Sequence, residues 1–335
     1  MSCGLPSLRI ILGIEPGQKR RVIFDAGGSE IPATIIDGQE EGMTLLVMAG
    51  VHPDEYPGMA ASIRVAQAME PERLSGRLII IHCANPSGFW ARSRFVPEDG
   101  VNLNGDYPGK PDGSPGERIA DFFVKQFFPH VDFIVDLHSG SPMEPLTPCL
   151  FFPSGAGDRV RETSLSAAMD TDIPYLIASH AESGEYSYAA NAMGIPGLLL
   201  ERGHSGLCPR EWVDAYEDDL YRLLQHLGMI ALPPFDSKPV CAKILCEKTV
   251  YLGSEHKGLW YPDIHEGQSL KKGERLGHIE DFWGNRLKEY HAQDDGLVFY
   301  YNAGLAVRPG DPLVAYGLKD FMKPAGTPPL TDDHR

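Results

Sequence analysis

The chain alternates short, almost wholly apolar runs with longer segments of mixed polarity. The apolar runs lie at residues 44–49, 77–83, 133–138 and 195–201. Runs of this length predict strands that are buried on both faces, as in a parallel sheet. The segments with helical character lie at residues 58–68, 116–128 and 209–227. This order of strands and helices predicts an α/β fold.

The two ends of the chain have a different pattern. Residues 8–38 hold three short β-like runs separated by Gly and Pro, which predict hairpins leading into the first central strand. After a proline-rich stretch at 232–239, short β-like runs with Gly turns predict a small all-β module. We therefore predict two domains, a larger α/β domain over residues 1–235 and a β-rich domain over residues 236–335.

Composition narrows the classes of function. Of 335 residues, 42% are hydrophobic and 23% are charged, which is typical of a soluble globular protein. A formal net charge of −16 opposes binding to nucleic acid or anionic lipid. The sequence shows neither a signal-peptide pattern nor a long apolar span, so a cytoplasmic location is expected. We expect a small-molecule substrate, no nucleic-acid or membrane partner, and leave a homo-oligomer open.

Polar residues follow three of the apolar runs, at the points where the predicted strands end. His52 and Glu55 follow residues 44–49, His138 ends residues 133–138, and Glu201 ends residues 195–201. Because the carboxyl ends of parallel strands meet at one edge of a sheet, these side chains are expected to lie together. Two His and one Glu form a known ligand set for catalytic zinc. Taken singly, a histidine at a strand end is more often a hydrogen-bonded structural residue than a ligand, and Glu201 alone could be a salt-bridge partner of a neighbouring Arg.

Two further carboxylates have candidate roles at the same edge. Asp136 lies two residues before His138, on the same face of the strand, where it can hold the imidazole or cap a neighbouring helix. Glu201 is a candidate general base, since a carboxylate facing an activated water can accept its proton.

The ordered set of motifs resembles the succinylglutamate desuccinylase/aspartoacylase family of zinc-carboxypeptidase-like hydrolases. The set comprises His52-x-x-Glu55, Arg94 with residues 99–104, the sequence Asp-Leu-His at 136–138, and Glu201. The likeness continues into the tail, through 258–260, 267–277 and 292–296. It implies a zinc-carboxypeptidase-like α/β/α sandwich with a mixed sheet, followed by a smaller C-terminal all-β domain.

The resemblance also implies a function and a role for each motif residue. The function is a zinc-dependent amidohydrolase that removes an acyl group from a small N-acylated amino acid or amine. One zinc ion would be bound by His52, Glu55 and His138. Glu201 would be the general base for the attacking water, and Arg94 would help to hold the tetrahedral oxyanion. Asn102 and Asn104 would contact the substrate.

One departure from the family pattern bears on the substrate. The family usually has Asn-Leu-Asn-Arg in the long loop, where the Arg grips a substrate carboxylate, but here Gly105 follows Asn104. Other basic residues could replace that Arg, or the substrate could lack the carboxylate, and Asp106 beside the gap could favour a cationic group. The basic candidates are Arg92, Lys110 and Arg202.

Two alternative functions remain. A carboxypeptidase would use the same chemistry but needs a carboxylate clamp, so the missing Arg counts against it. A metal-binding protein without catalysis is the other. The presence of Glu201 favours an enzyme.

Overall fold

The computed structural model describes residues 13–232 and 240–325, which form six α-helices and eighteen strands. The helices are α1 (Tyr56–Ala68), α2 (Pro86–Ala91), α3 (Pro115–Gln126), α4 (Asp158–Asp170), α5 (Glu185–Met193) and α6 (Arg210–His226). The first nine strands are β1 (Gln18–Asp25), β2 (Glu30–Asp37), β3 (Glu40–Ala49), β4 (Ser75–Ile81), β5 (Phe133–His138), β6 (Cys149–Pro153), β7 (Tyr175–Ser179), β8 (Gly197–Glu201) and β9 (Ile244–Cys246). The others are β10 (Thr249–Gly253), β11 (Gly258–Pro262), β12 (Ser269–Leu270), β13 (Arg275–Glu280), β14 (Arg286–His291), β15 (Gly296–Tyr301), β16 (Ala306–Val307), β17 (Pro312–Leu318) and β18 (Met322–Pro324).

A ten-stranded mixed sheet forms the centre of the described chain, in the order β1-β2-β4-β3-β5-β8-β6-β7-β9-β18. Strands β4, β3, β5 and β8 are parallel to one another, whereas β6 is antiparallel to β8. Strands β1 and β2 form the predicted hairpin at one edge. The carboxyl ends of β3, β5 and β8 therefore lie side by side, as the sequence pattern requires.

Helices cover both faces of this sheet because its central strands carry apolar side chains on both sides. Alternate residues of β3 belong to different cores: Leu45 and Val47 face one core, and Leu46 and Met48 face the other. The first core is completed by α1, α4 and α6, and the second by α3 and α5. The predicted α/β/α sandwich with a mixed sheet is confirmed.

The C-terminal part adds two four-stranded antiparallel sheets, β10-β17-β15-β12 and β14-β13-β11-β16, which enclose a third core. Strands β9 and β18 from the same part complete the large sheet. The predicted all-β character of this part is confirmed, whereas the division at residue 236 stays a prediction. Residues 233–239, and the first of the three predicted β-like runs near the start of the chain, at residues 8–12, lie outside the described residues. No helix in the described ranges is long and apolar enough to cross a membrane.

Candidate metal centre and catalytic cavity

The turn after β3 brings the first two candidate ligands together. Gly50 has a φ of 68°, and a Cβ there would lie 3.0 Å from the Cα of Cys83, so glycine is the residue that fits this turn. The Glu55 amide then donates to the His52 carbonyl over 3.2 Å. As a result the His52 imidazole and the Glu55 carboxylate face each other, with His52 Nδ1 3.0 Å from Glu55 Oε1.

His138 joins this pair from the end of β5, which is parallel to β3. Its Nδ1 lies 3.0 Å from Glu55 Oε2 and 3.1 Å from His52 Nδ1. The side chains of the three residues are each only 2% exposed. The Ser139 amide holds the Glu55 carboxylate in place by donating a 2.9 Å hydrogen bond to Oε2. Two imidazole nitrogens and a carboxylate thus converge on one buried point.

This arrangement fits a metal ion. Zinc binds His nitrogen at about 2.0–2.1 Å, and the ligand atoms of a tetrahedral site are then about 3.3 Å apart. The potential ligand atoms of His52, Glu55 and His138 all lie within 4.8 Å of one another, and the closest approaches are near the tetrahedral value. The chemistry of the donors, two imidazoles and one carboxylate, also suits zinc.

The outer nitrogens of both histidines have polar neighbours that select the tautomer. His52 Nε2 lies 2.9 Å from Asn102 Oδ1, and His138 Nε2 lies 2.9 Å from Asp136 Oδ2. The second contact has an ion-pair distance without the alignment of a regular hydrogen bond. A proton on each Nε2 leaves both Nδ1 lone pairs directed at Glu55, as metal ligation requires.

Burial and neighbouring charges shift the pKa values of His52, His138 and Glu55 in different directions. Burial, and then the charge of Arg94, lowers the pKa of His52 to about 4, so His52 is neutral at pH 7. Burial would also lower the pKa of His138, but Asp136 and Glu55 raise it well above its usual value. Burial would raise the pKa of Glu55, yet His52, Arg94 and His138 hold it well below the usual range. The cluster therefore favours positive charge on His138 and disfavours it on His52.

Arg94 and the two asparagines lie around this cluster. Arg94 Nη1 donates to Glu55 Oε1 over 2.5 Å and to Ser141 Oγ over 2.6 Å. Asn104 lines the adjoining cavity, and its Oδ1 accepts the Glu185 amide over 3.3 Å. Asn102 contacts His52 instead and does not line the cavity.

Glu201 reaches the same cavity from the end of β8. Glu201 pairs with His138 in the β5–β8 ladder, so the two side chains lie on the same face of the sheet. Its Oε2 is buried and has no hydrogen-bond partner within the described chain. Burial, followed by the charge of Glu55, raises the pKa of Glu201 well above its usual value. The Tyr216 hydroxyl lies within hydrogen-bonding reach of the carbonyls of both Leu200 and His138 and shares its one proton between the two strand ends.

The cavity has a volume of about 260 Å³, and its lining includes one carboxylate and three tyrosines beyond the predicted site residues: Glu144, Tyr186, Tyr251 and Tyr300. Glu144 comes from the loop after His138, where its proximity along the chain was an available signal. Tyr251 and Tyr300 come from β10 and β15, which no spacing rule connects to the metal ligands. Tyr186 comes from the first turn of α5.

None of the proposed replacements for the missing loop Arg lines the cavity. Arg92 is exposed, Lys110 Nζ lies 2.5 Å from Glu117 Oε1, and Arg202 Nη2 lies 2.8 Å from Asp219 Oδ2. Across residues 13–232 and 240–325, Arg94 is the only Arg or Lys side chain in the lining. A Cβ on Gly105 would meet nothing within 4 Å, so packing does not explain the glycine.

Comparison with known proteins agrees with this architecture. The N-alpha-acetyl-L-2,4-diaminobutyric acid deacetylase of Halomonas elongata is 29% identical over 292 residues, covering 85% of this chain and 84% of the relative. The product-bound ectoine utilization protein EutE (DoeB) of Ruegeria pomeroyi is 26% identical with a TM-score of 0.77, covering 89% of this chain and 93% of that chain. A succinylglutamate desuccinylase from Silicibacter sp. TM1040 has the same fold, with 24% identity, a TM-score of 0.77, and coverage of 91% and 97%.

The similarity to the Halomonas elongata deacetylase supports an enzyme that hydrolyses acyl amides. Residues 41–227 match the family model of the succinylglutamate desuccinylase/aspartoacylase catalytic domain, which spans more than half of the chain and includes every predicted ligand and the predicted base. The chain therefore belongs to the succinylglutamate desuccinylase/aspartoacylase family.

Proposed function

We propose that this chain is a zinc-dependent amidohydrolase that removes the acyl group from a small N-acylated amine or amino acid. One observation carries the proposal: His52, Glu55 and His138 converge at tetrahedral spacing beside a cavity that also contains an unpartnered oxygen of Glu201. A metal-binding role alone would not need that carboxylate in the cavity. The name of the Halomonas elongata relative supports a small N-acylated substrate.

A zinc ion at this site would activate water at neutral pH and polarise the carbonyl of the scissile amide. Glu201 Oε2, which has no protein partner within the described chain, accepts a proton from the attacking water and passes it to the departing nitrogen. A C–O bond forms, the C–N bond breaks, and the products are a carboxylate and a free amine.

The other residues hold and orient the reacting groups. Arg94, already at the edge of the cavity, stabilises the negative charge that develops on the carbonyl oxygen. Asp136 and Asn102 hold the imidazoles in the tautomer that exposes Nδ1. Asn104 lies at the cavity wall beside the N-terminus of α5, where it contacts the substrate.

Metal analysis and a Glu201→Gln variant test the proposal. The wild-type protein should contain about one zinc per chain and hydrolyse N-acetylated amines, whereas Glu201→Gln should keep zinc and lose about 10²–10⁴-fold in kcat. His52→Ala should lose zinc. Full zinc occupancy in His52→Ala would contradict the ligand set, and a zinc-loaded wild type inert across a broad acyl-amide panel would favour a non-catalytic metal-binding protein.

A further inference from the structure

Glu144 lies where the catalytic cavity meets a second cavity of about 180 Å³. Arg94 and Tyr300 also line both cavities. The backbone of Glu144 is fixed, since its amide donates to the Ser141 carbonyl over 2.8 Å and its carbonyl accepts the Ser205 amide over 3.3 Å. Its side chain is 24% exposed. A carboxylate therefore lies at the junction of the two cavities.

The charge of Glu144 is poorly compensated by the protein. The Ser141 amide donates to its Oε2 over 3.3 Å, but the nearest cation is Arg94, whose Nη1 lies 3.8 Å from Oε2 and only 2.5 Å from Glu55 Oε1. In the described ranges, no other Lys or Arg lines either cavity. Burial raises the pKa of Glu144, Arg94 opposes this, and the charge of Glu55 adds to it. A cationic group of a ligand would supply the missing charge.

The rest of the lining suits a cation better than an anion. Tyr186, Tyr251 and Tyr300 surround the catalytic cavity, and aromatic faces attract ammonium groups. Gly105 stands where the family pattern has an anion-binding Arg. Asp106, the acidic residue considered from the sequence, lines neither cavity, whereas Glu144 lines both and Glu201 lines only the catalytic one.

We propose that Glu144 is a specificity residue that binds an ammonium group on the amine portion of the substrate, so that the enzyme prefers mono-acylated diamines to neutral or anionic acyl amides. This inference rests on the proposed amidohydrolase function. The ammonium donates charge-assisted hydrogen bonds to Glu144 while the acyl carbonyl lies at the metal centre. The preference is thus a property of one side chain and can be separated from the chemistry.

The test compares substrates that differ in one charged group. N-acetyl-1,3-diaminopropane and N-propylacetamide share the acyl group and carbon chain, and only the first carries an ammonium. For the zinc-loaded wild type at pH 7, kcat/KM should be at least about tenfold higher for the diamine. In Glu144→Gln the ratio should fall to within about threefold of one, and in Glu144→Asp it should partly persist. The ratio cancels any effect on catalysis common to both substrates.

Glu182→Gln is the matched control. Glu182 is exposed and lies between Ala181 and Ser183, which line the cavity, but it does not itself line it. The variant removes the same charge near the mouth, and we expect the wild-type ratio to be retained. A ratio that falls equally in both variants would show a general field effect and overturn the assignment to Glu144.

Other outcomes separate the inference from the proposed function. A wild-type ratio near one, or an unchanged ratio in Glu144→Gln, overturns the inference while hydrolysis itself still supports the function. If zinc-loaded wild type hydrolyses no acyl amide, the proposed function fails and the inference with it. If Glu144→Gln does not fold, the wild type decides through N-acetyl-4-aminobutyrate: a kcat/KM at least equal to that of N-propylacetamide overturns the proposal, and a clearly lower value supports it.

Discussion

Replacing Asp136 by Asn should weaken zinc binding without removing a ligand. Asp136 is fully buried, and its Oδ2 lies 2.9 Å from Nε2 of His138, whose side chain is 2% exposed. Asn keeps the volume but removes the negative charge, and water cannot replace it at so buried a position. Loss of such an outer partner typically costs 10–100-fold in metal affinity, which corresponds to about 1.4–2.7 kcal/mol. We expect a value in the upper half of this range.

The effect should also depend on pH. Zinc must displace any proton on His138 Nδ1, and Asp136 is the strongest of the charges that raise the pKa of His138 against the effect of burial. Removing Asp136 lowers that pKa, so the variant suffers less proton competition than the wild type at low pH. This partly hides the lost affinity at pH 6.5 and less so at pH 8.5. The ratio of variant to wild-type Kd should therefore rise with pH.

Competition with a zinc chelator at both pH values measures these dissociation constants without relying on activity. Asp37→Asn is the control, because Asp37 is 1% exposed and pairs with Arg77 over 3.1 Å between β2 and β4, away from the ligands. It should change the stability of the fold and leave zinc affinity unaltered. A Kd for Asp136→Asn within threefold of the wild-type value at both pH values would refute the role given to Asp136.

Two further outcomes follow from positions outside the ligand set. Gly105→Arg has room for its side chain, since a Cβ at this position meets nothing within 4 Å. Its ratio of kcat/KM for N-acetyl-L-2-aminobutyrate to kcat/KM for N-propylacetamide should be about tenfold higher than the same ratio in Gly105→Gln, because Arg can bind the substrate carboxylate. An equal ratio in the two variants would contradict this. Burial, and then Arg21, lowers the pKa of His82 to about 4, below the unfolded value of 6.5, so its protonation favours unfolding and stability falls as pH drops from 6.5 towards 4. Between pH 7 and pH 4.5, the free energy of unfolding measured in urea should therefore fall by about 2 kcal/mol less in His82→Gln than in the wild type. Equal decreases in the two proteins would exclude this account.

The central strands were predictable because burial on both faces makes them uniformly apolar. Strand β5 occupies the predicted residues 133–138, and α6 (Arg210–His226) differs by one residue at each end from the predicted 209–227. Strands β6 and β7 and helices α4 and α5 were not predicted. The two strands are five residues long, as is the predicted β8, but neither ends in a charged residue such as Glu201 that would mark a strand end at a site.

The candidate metal centre was predictable for a topological reason. Parallel strands end on the same edge of the sheet, so three polar residues that each follow an apolar run could be expected at one place. The same argument says nothing about the substrate pocket, whose walls come from loops and from strands far away along the chain. Arg202 illustrates the limit: it directly follows Glu201, yet its side chain turns to Asp219.

The loop that carries Glu144 is held by the C-terminal part of the chain, which links specificity to that part. Leu146 forms an isolated bridge with Tyr300, and the Thr147 amide donates to the Phe299 carbonyl over 2.7 Å. These main-chain bonds fix the loop against β15, whose Tyr300 also lines both cavities. Because the bonded residues are about 150 positions apart in the sequence, no local sequence pattern predicts the contact. A change in the register of β15 would displace Glu144 and Tyr300 together, whereas the metal ligands are held by the parallel strands and would stay in place.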